Sequence, residues 1–264
     1  MSSPIPPPQK VLLLAYDGMN TLDWAGPLEV LSMATTPSGS PAFEVTIATV
    51  SSSPNTTSPP PSVQTAERGI ITPHINIASR SPDLPQILDE YPTLVVPGGE
   101  LSTLLTLAND TSGPIIELIR AFAVLPPKDA RGDDRIILVI CTGAFFLPAT
   151  GILRRPSSAV KQDIQLVTHH LARDAFRALV GKPEYTEKGF RLEVLDKRFV
   201  DAGKLLGTGE GGEGVRLITS GGVSAGMDAT LYVVERRAGM ECAKGSSDRL
   251  ETVWRRDEGV IASD

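Results

Sequence analysis

The sequence predicts one α/β domain built on a mainly parallel sheet with helices on both faces. Three observations point there. Short runs of branched apolar residues alternate with helical stretches for most of the chain, as in a parallel sheet wound with crossover helices. The core runs are apolar throughout, as strands covered on both faces are. And each core run stops on residues that turn the chain: Asp17-Gly18, Gly98-Gly99, and Cys141-Thr142-Gly143.

The elements follow in order. Residues 1–9 read as a proline-rich, disordered tail. "KVLLLAY" is a buried strand, and "TLDWAGPLEVLSMA" a helix with Leu28, Leu31 and Ala34 on one face. "FEVTIATV" is a second strand. "SSSPNTTSPPPS", 51–62, has too little apolar content to bury and reads as a disordered insertion. "GIITPHINI" reads as a hairpin or edge strand, with Pro73 confined to its rim. "PTLVVPGG" and "RIILVI" are two more core strands, separated by the helix "GPIIELIRAFAVL". After Cys141 come the helix "GAFFLPATG", the extended "QLVTHH", and a helix "LARDAFRALVG" stopping at Gly181. "FRLEVL", "RFVDAGKLL" and "VRLITSGG" read as shorter strands, with "GTGEGGEG" as a hairpin loop between the last two. "VSAGMDATLYVVERRAGMECA" reads as one long helix. The expected division is a single domain over 10–245 and a C-terminal tail over 246–264.

Composition narrows the function classes. A chain of 264 residues, 41% hydrophobic and 21% charged, can bury a sizeable core. A formal net charge of -6 argues against nonspecific nucleic-acid binding. Two cysteines, Cys141 and Cys242, give neither a disulfide framework nor zinc spacing, and three scattered histidines add no metal set. The expectation is a protein without metal or organic cofactor, acting on a small molecule in the cytoplasm. No apolar run is long enough to span a membrane and no signal peptide is evident. "GTGEGGEG" is not a dinucleotide fingerprint, because a strand follows it and Glu210 and Glu213 would repel phosphate.

The chemistry centres on Cys141. A nucleophile between a strand and a helix, followed by a small residue, is the arrangement of a nucleophile elbow. A free thiol has a pKa of about 8.5 and is mostly protonated at neutral pH. A helix N-terminus behind Cys141 would favour the thiolate. The alternative is a buried cysteine filling space at a strand end. Asp23 starts a helix and serves either as its N-cap or, beside the thiol, as a proton shuttle. Thr142 is either an N-terminal helix residue or a group that orients water or substrate. Gly98 and Gly99 are turn residues whose amides, with that of Thr142, can form an oxyanion-type hole. His169 stands near the strand end as a thiol partner or a structural residue. Trp24 reads as packing or pocket wall, His74 as surface, Glu29 as a solvated or dimer-contact residue, and Cys242 as structural.

Taken together, "NTLDWAGPLEVL", "LVVPGGE", "VICTGAFFLPATGIL", "LVTHH" and "LITSGGVSAGMD" resemble, in order, the ThiJ/PfpI superfamily of glutamine-amidotransferase-like proteins. Within it the sequence is most similar to the isonitrile hydratase branch. The resemblance covers roughly residues 10–235. It implies a flavodoxin-like sandwich, a homodimer, and catalytic roles for Asp23, Cys141 and Thr142. The superfamily's deglycase members carry Glu where Asp23 stands, and their histidine near the thiol matches His169. The glutaminase members use a late histidine, whereas none follows His170 here. Hydration of an isocyanide is the activity the resemblance implies. Glyoxalase or deglycase chemistry on methylglyoxal and a non-enzymatic thiol sensor are the alternatives.

Overall fold

Three apolar runs become neighbours at the centre of a seven-stranded sheet. In the computed structural model, which describes residues 7–53, 59–126, 134–154, 163–183, 191–205 and 214–262, β1 (Gln9–Leu14) lies beside β6 (Thr93–Val96), and β6 beside β7 (Ile136–Ile140). β2 (Phe43–Ser51) and β5 (Ile75–Ala78) extend the sheet on one side, β11 (Val215–Ser220) and β10 (Phe199–Leu205) on the other. The order is β10-β11-β7-β6-β1-β2-β5, and every pairing is parallel except that of β10 with β11. Two small sheets flank it: an antiparallel pair of β3 (Val63–Gln64) and β4 (Ile70–Ile71), and a parallel pair of β8 (Ile164–Leu166) and β9 (Leu192–Val194).

The two-residue strand period explains the layers. Leu12 and Leu14 of β1, with Ile137 and Val139 of β7, enter one core; Val11 and Leu13, with Ile136, Leu138 and Ile140, enter the other. The first core is closed by α2 (Leu84–Asp89), α3 (Leu101–Asn109), α4 (Pro114–Ala123), α5 (Leu147–Thr150) and α6 (Arg173–Val180). The second is closed by α1 (Thr21–Met33), α7 (Ser224–Ala238) and α8 (Met240–Arg249). The result is a three-layer sandwich with both sheet faces covered, which is why the core strands carry no polar alternation.

Four details differ from the sequence reading. The long helix after Val223 is two helices, broken at Gly239, whose φ of 94° leaves the helical region. "GIITPHINI" divides, with its first isoleucines in β4 and the rest in the edge strand β5. The short helices α2 and α3 lie in stretches the pattern did not mark. Residues 246–262 are packed against the domain: Ser246 is buried and its hydroxyl donates to the Val30 carbonyl at 2.7 Å, while Val260 bonds both ways to β10 through Phe199 and Asp201. Apolar Phe199 and the neighbouring backbone of Gly259 pack there, which a flat reading of composition does not reveal. The hairpin loop assigned to "GTGEGGEG" lies outside the described residues at 206–213, as do 54–58 of the 51–62 insertion.

Candidate active site

Because β1, β6 and β7 are adjacent and parallel, their carboxyl ends open at one place, where sites of open α/β sheets form. The backbone stitches these ends together. Met19 and Gly99 form an isolated bridge, and Asn20 N–H donates to the Gly98 carbonyl at 2.9 Å. A Cβ on Gly98 would lie 2.6 Å from Cys141 Cβ and 2.8 Å from the Thr142 nitrogen, so only glycine lets the two loops approach this closely.

Cys141 has a φ of 59°, a conformation that non-glycine residues adopt only under constraint. That is the strained corner of an elbow. Its carbonyl is held by the Thr168 hydroxyl, which donates at 2.9 Å. The chain continues as a 3-10 turn, Cys141–Phe146, and then the four-residue α5. No long helix dipole therefore backs the sulfur, contrary to the expectation of a helix that acidifies the thiol. Burial pushes the thiol pKa up, and the adjacent Asp23 carboxylate pushes it further; the Thr142 amide only partly opposes them. At rest the sulfur keeps its proton.

Asp23 lies on the first turn of α1 but is not its cap. Asn20 takes that role, its side chain accepting from the amides of Leu22 and Asp23. The carboxyl group is thereby left for other work. Its Oδ1 accepts the Val223 amide at 2.7 Å. Its Oδ2 is buried without a well-formed hydrogen bond, close enough to the Cys141 thiol for the two groups to couple. Burial raises the Asp23 pKa, while the Val223 amide, the thiol and the Gly98 amide pull it back. Burial raises both the carboxyl and the thiol, and their mutual influence links the ionisation of one to that of the other.

Thr142 and Gly99 are bound to each other. The Thr142 hydroxyl donates to the Gly99 carbonyl at 2.7 Å and accepts the Gly99 amide at 2.9 Å. The Gly99 amide is thus committed to the Thr142 hydroxyl, so the oxyanion-type hole expected from the Gly98 and Gly99 amides together is not assembled in that form. The Thr142 amide remains at the sulfur.

His169 sits across Gly222 from the thiol. A Cβ on Gly222 would be 2.4 Å from His169 Cδ2 and 2.8 Å from Cys141 Sγ. His169 Nδ1 accepts the Leu171 amide at 3.3 Å, which leaves the proton on Nε2 of a neutral ring. Burial and the neighbouring His170 lower its pKa, keeping it neutral. Trp24 is half-buried between the two cores, Glu29 and His74 are exposed, and Cys242 is buried in α8, as their residue types suggested.

The structure adds residues that the sequence reading passed over. Val223 holds Asp23 from a strained backbone with φ 57° and ψ -111°. Thr168 and Gly222 shape the sulfur's surroundings. The Tyr16 hydroxyl, wholly buried beside the pair, donates to the Pro97 carbonyl at 2.6 Å. Among the described residues no three His, Cys, Asp or Glu side chains gather into a metal site, and no helix is long and apolar enough to cross a membrane.

Solved structures share the fold that carries these residues. The chain superposes on DJ-1 of Schizosaccharomyces pombe with a TM-score of 0.60 at 17% identity, covering 93% of this chain and 100% of that one. The DJ-1beta of Drosophila melanogaster gives 0.57 at 18%, covering 94% and 100%. The fold is that of the DJ-1 and ThiJ/PfpI proteins. A ThiJ/PfpI family protein from Pseudomonas syringae gives 0.58 at 19%, covering 93% of this chain and 75% of that one. No protein-family model matches the sequence, and no curated protein matches it.

Proposed function

We propose that the chain is a superfamily enzyme that adds water to an isocyanide, giving an N-substituted formamide through a Cys141 thioimidate. The observation that carries this reading is the buried Asp23 Oδ2, left without a hydrogen-bond partner and electrostatically coupled to the thiol of Cys141 on a strained elbow. The terminal isocyanide carbon needs a nucleophile and a proton at the same atom. The pair supplies both: Asp23 takes the thiol proton as the S–C bond forms and delivers it to that carbon, leaving R–N=CH–S on Cys141. Water then adds across the C=N bond. Asp23 moves the hydroxyl proton to sulfur as the C–S bond breaks, releasing formamide and thiol. The scheme needs no cofactor. A carboxyl pKa raised by burial suits this base, because proton affinity closer to that of its partners eases transfer.

The test is incubation with cyclohexyl isocyanide and, separately, methylglyoxal, using wild type, Cys141→Ala and Asp23→Ala. Formamide from wild type alone supports the proposal. Full activity in Cys141→Ala would sink the covalent scheme. Consumption of methylglyoxal without formamide would move the same thiol to glyoxalase-type chemistry, for which the neutral Nε2–H of His169 beside the sulfur is suited.

A further inference from the structure

A cavity of about 620 Å³ opens beside the elbow, its wall formed by Thr168 to His170, Arg173, Asp196 to Arg198, Gly221 to Ala225, Asp257 and Glu258. Gly222 and His169 line it and adjoin the nucleophile: a Cβ on Gly222 would lie 2.4 Å from His169 Cδ2 and 2.8 Å from Cys141 Sγ. The cavity is thus the adjoining space in which the remainder of a molecule reacting at the sulfur can lie.

The charges of the wall are not equivalent. Its three carboxylates are in water: Asp196 has 79% of its side chain exposed, Glu258 has 55%, and Asp257 is exposed. Two of its cations are withdrawn from water, Arg173 with 17% and Arg198 with 20% of the side chain exposed. Arg198 is neutralised by the buried Asp228 and also donates to Ser224 Oγ. Arg173 has no such counter-charge. Among the described residues its only carboxylate partner is the solvent-facing Asp196, at 2.6 Å, and its Nε–H is buried with no acceptor. Lys197 lines the same cavity and forms no ion pair among the described residues. Exposed carboxylates are screened by water and salt, whereas a buried guanidinium acts at higher effective strength. A buried donor without an acceptor is itself costly, and an incoming anion removes that cost.

We propose that this cavity recognises a carboxylate on the electrophile that Cys141 attacks, with Arg173 as the principal anchor and Lys197 as a second charge. The proposal rests on Cys141 as the reactive nucleophile; it narrows the substrate class to small electrophiles bearing an acidic group.

Alkylation of Cys141 tests it without any assumed substrate. Iodoacetate and iodoacetamide each form an S–C bond and release iodide, and they differ in the carboxylate. Their rate ratio at Cys141, followed by mass spectrometry of its peptide, is compared with that of 2-mercaptoethanol at the same pH and salt. The expected ratio exceeds that of the small thiol by about fivefold, the scale of one partly screened charge pair. It falls toward the small-thiol value in Arg173→Gln and Lys197→Gln and at high salt, while the iodoacetamide rate, which reports the fold and the thiol, is kept. Asp196→Asn, which frees Arg173 from its competitor, raises the ratio. A wild-type ratio equal to that of 2-mercaptoethanol and indifferent to these changes overturns the carboxylate subsite while leaving the hydratase reading intact. Failure of both reagents to label Cys141 overturns the nucleophile and the subsite together. The ratio stands even if no formamide is formed.

Discussion

The amide of Val223 donates to Asp23 Oδ1 at 2.7 Å across 200 residues of sequence. The bond requires a backbone conformation, φ 57° and ψ -111°, that a β-branched residue adopts only at a cost of about 1–3 kcal/mol. The residue is 36% exposed and its side chain adds little packing. The strain is thus tied to holding one carboxylate oxygen still, so that the other meets the thiol. Val223→Gly is expected to relieve it without losing the amide, giving an unchanged or higher melting temperature and retained activity. Calorimetry and the formamide assay check this; a large fall in melting temperature would mean that the Val223 side chain contributes more than its exposure indicates.

Asp23→Asn separates charge from shape. The amide oxygen still accepts from Val223, but the group no longer accepts a proton. Since the Asp23 carboxylate raises the thiol pKa, its removal lowers that pKa. Iodoacetamide alkylation of Cys141 should then begin at lower pH than in wild type. Turnover should nevertheless fall by about 10²–10⁴, the usual contribution of a positioned acid or base. A more acidic thiol coupled to a slower enzyme would be hard to explain if Asp23 only shaped the loop.

Much of this site is legible in the chain. The run ends at Asp17-Gly18, Gly98-Gly99 and Cys141-Gly143 mark three strands whose carboxyl ends meet, because buried parallel strands leave a local signature and their turns are rich in small residues. What was not legible is carried by tertiary contact. Val223 acts through its amide, which every non-proline residue possesses, so its side chain gives no hint. The protonated state of Cys141 depends on burial and on Asp23, 118 positions upstream, and local sequence suggests the opposite sign. The break at Gly239 was visible as a glycine, but a glycine within a helical pattern is often tolerated.

Thr142 distinguishes support from chemistry. Its hydroxyl satisfies both the amide and the carbonyl of Gly99. Thr142→Val leaves both without that partner in a buried setting, at a cost of about 1–3 kcal/mol in urea unfolding, while Thr142→Ser keeps both bonds. If Thr142 acts by fixing the loop, the serine variant matches wild type in turnover and the valine variant loses both stability and activity. A valine variant of normal stability would show that the pair contributes little to the fold.

Gly222 and Gly98 predict opposite failures. At Gly98 a Cβ meets backbone atoms of Ile140 and Thr142, which cannot move without opening the sheet edge. Gly98→Ala should destabilise the whole protein, by about 2 kcal/mol or more. At Gly222 the nearest atoms belong to the His169 ring and Cys141 Sγ, and the ring can rotate away. Gly222→Ala should fold nearly as well as wild type yet slow Cys141 alkylation and turnover, by about 10²-fold for a misplacement on the ångström scale. Circular dichroism melts beside iodoacetamide rates distinguish the two.

The raised proton affinities of Asp23 and Cys141 also leave a mark on stability. Burial makes the folded protein hold the Asp23 proton more tightly than the unfolded chain does. From the ordinary carboxylate pKa of about 4 up to the raised folded value, the native state carries more protons, so stability falls as pH rises through that window. Asp23→Asn lacks this slope and should gain stability relative to wild type as pH rises from about 4 to neutral. Cys141 repeats the pattern at alkaline pH: above about 8.5 the unfolded thiol ionises while the folded one keeps its proton, so stability falls again. Cys141→Ala should flatten that second decline without altering the sign of the first. Urea midpoints from acid to alkaline pH for the three proteins resolve both limbs; parallel curves for wild type and Asp23→Asn would mean that the carboxyl is no harder to ionise in the folded protein than in the unfolded chain.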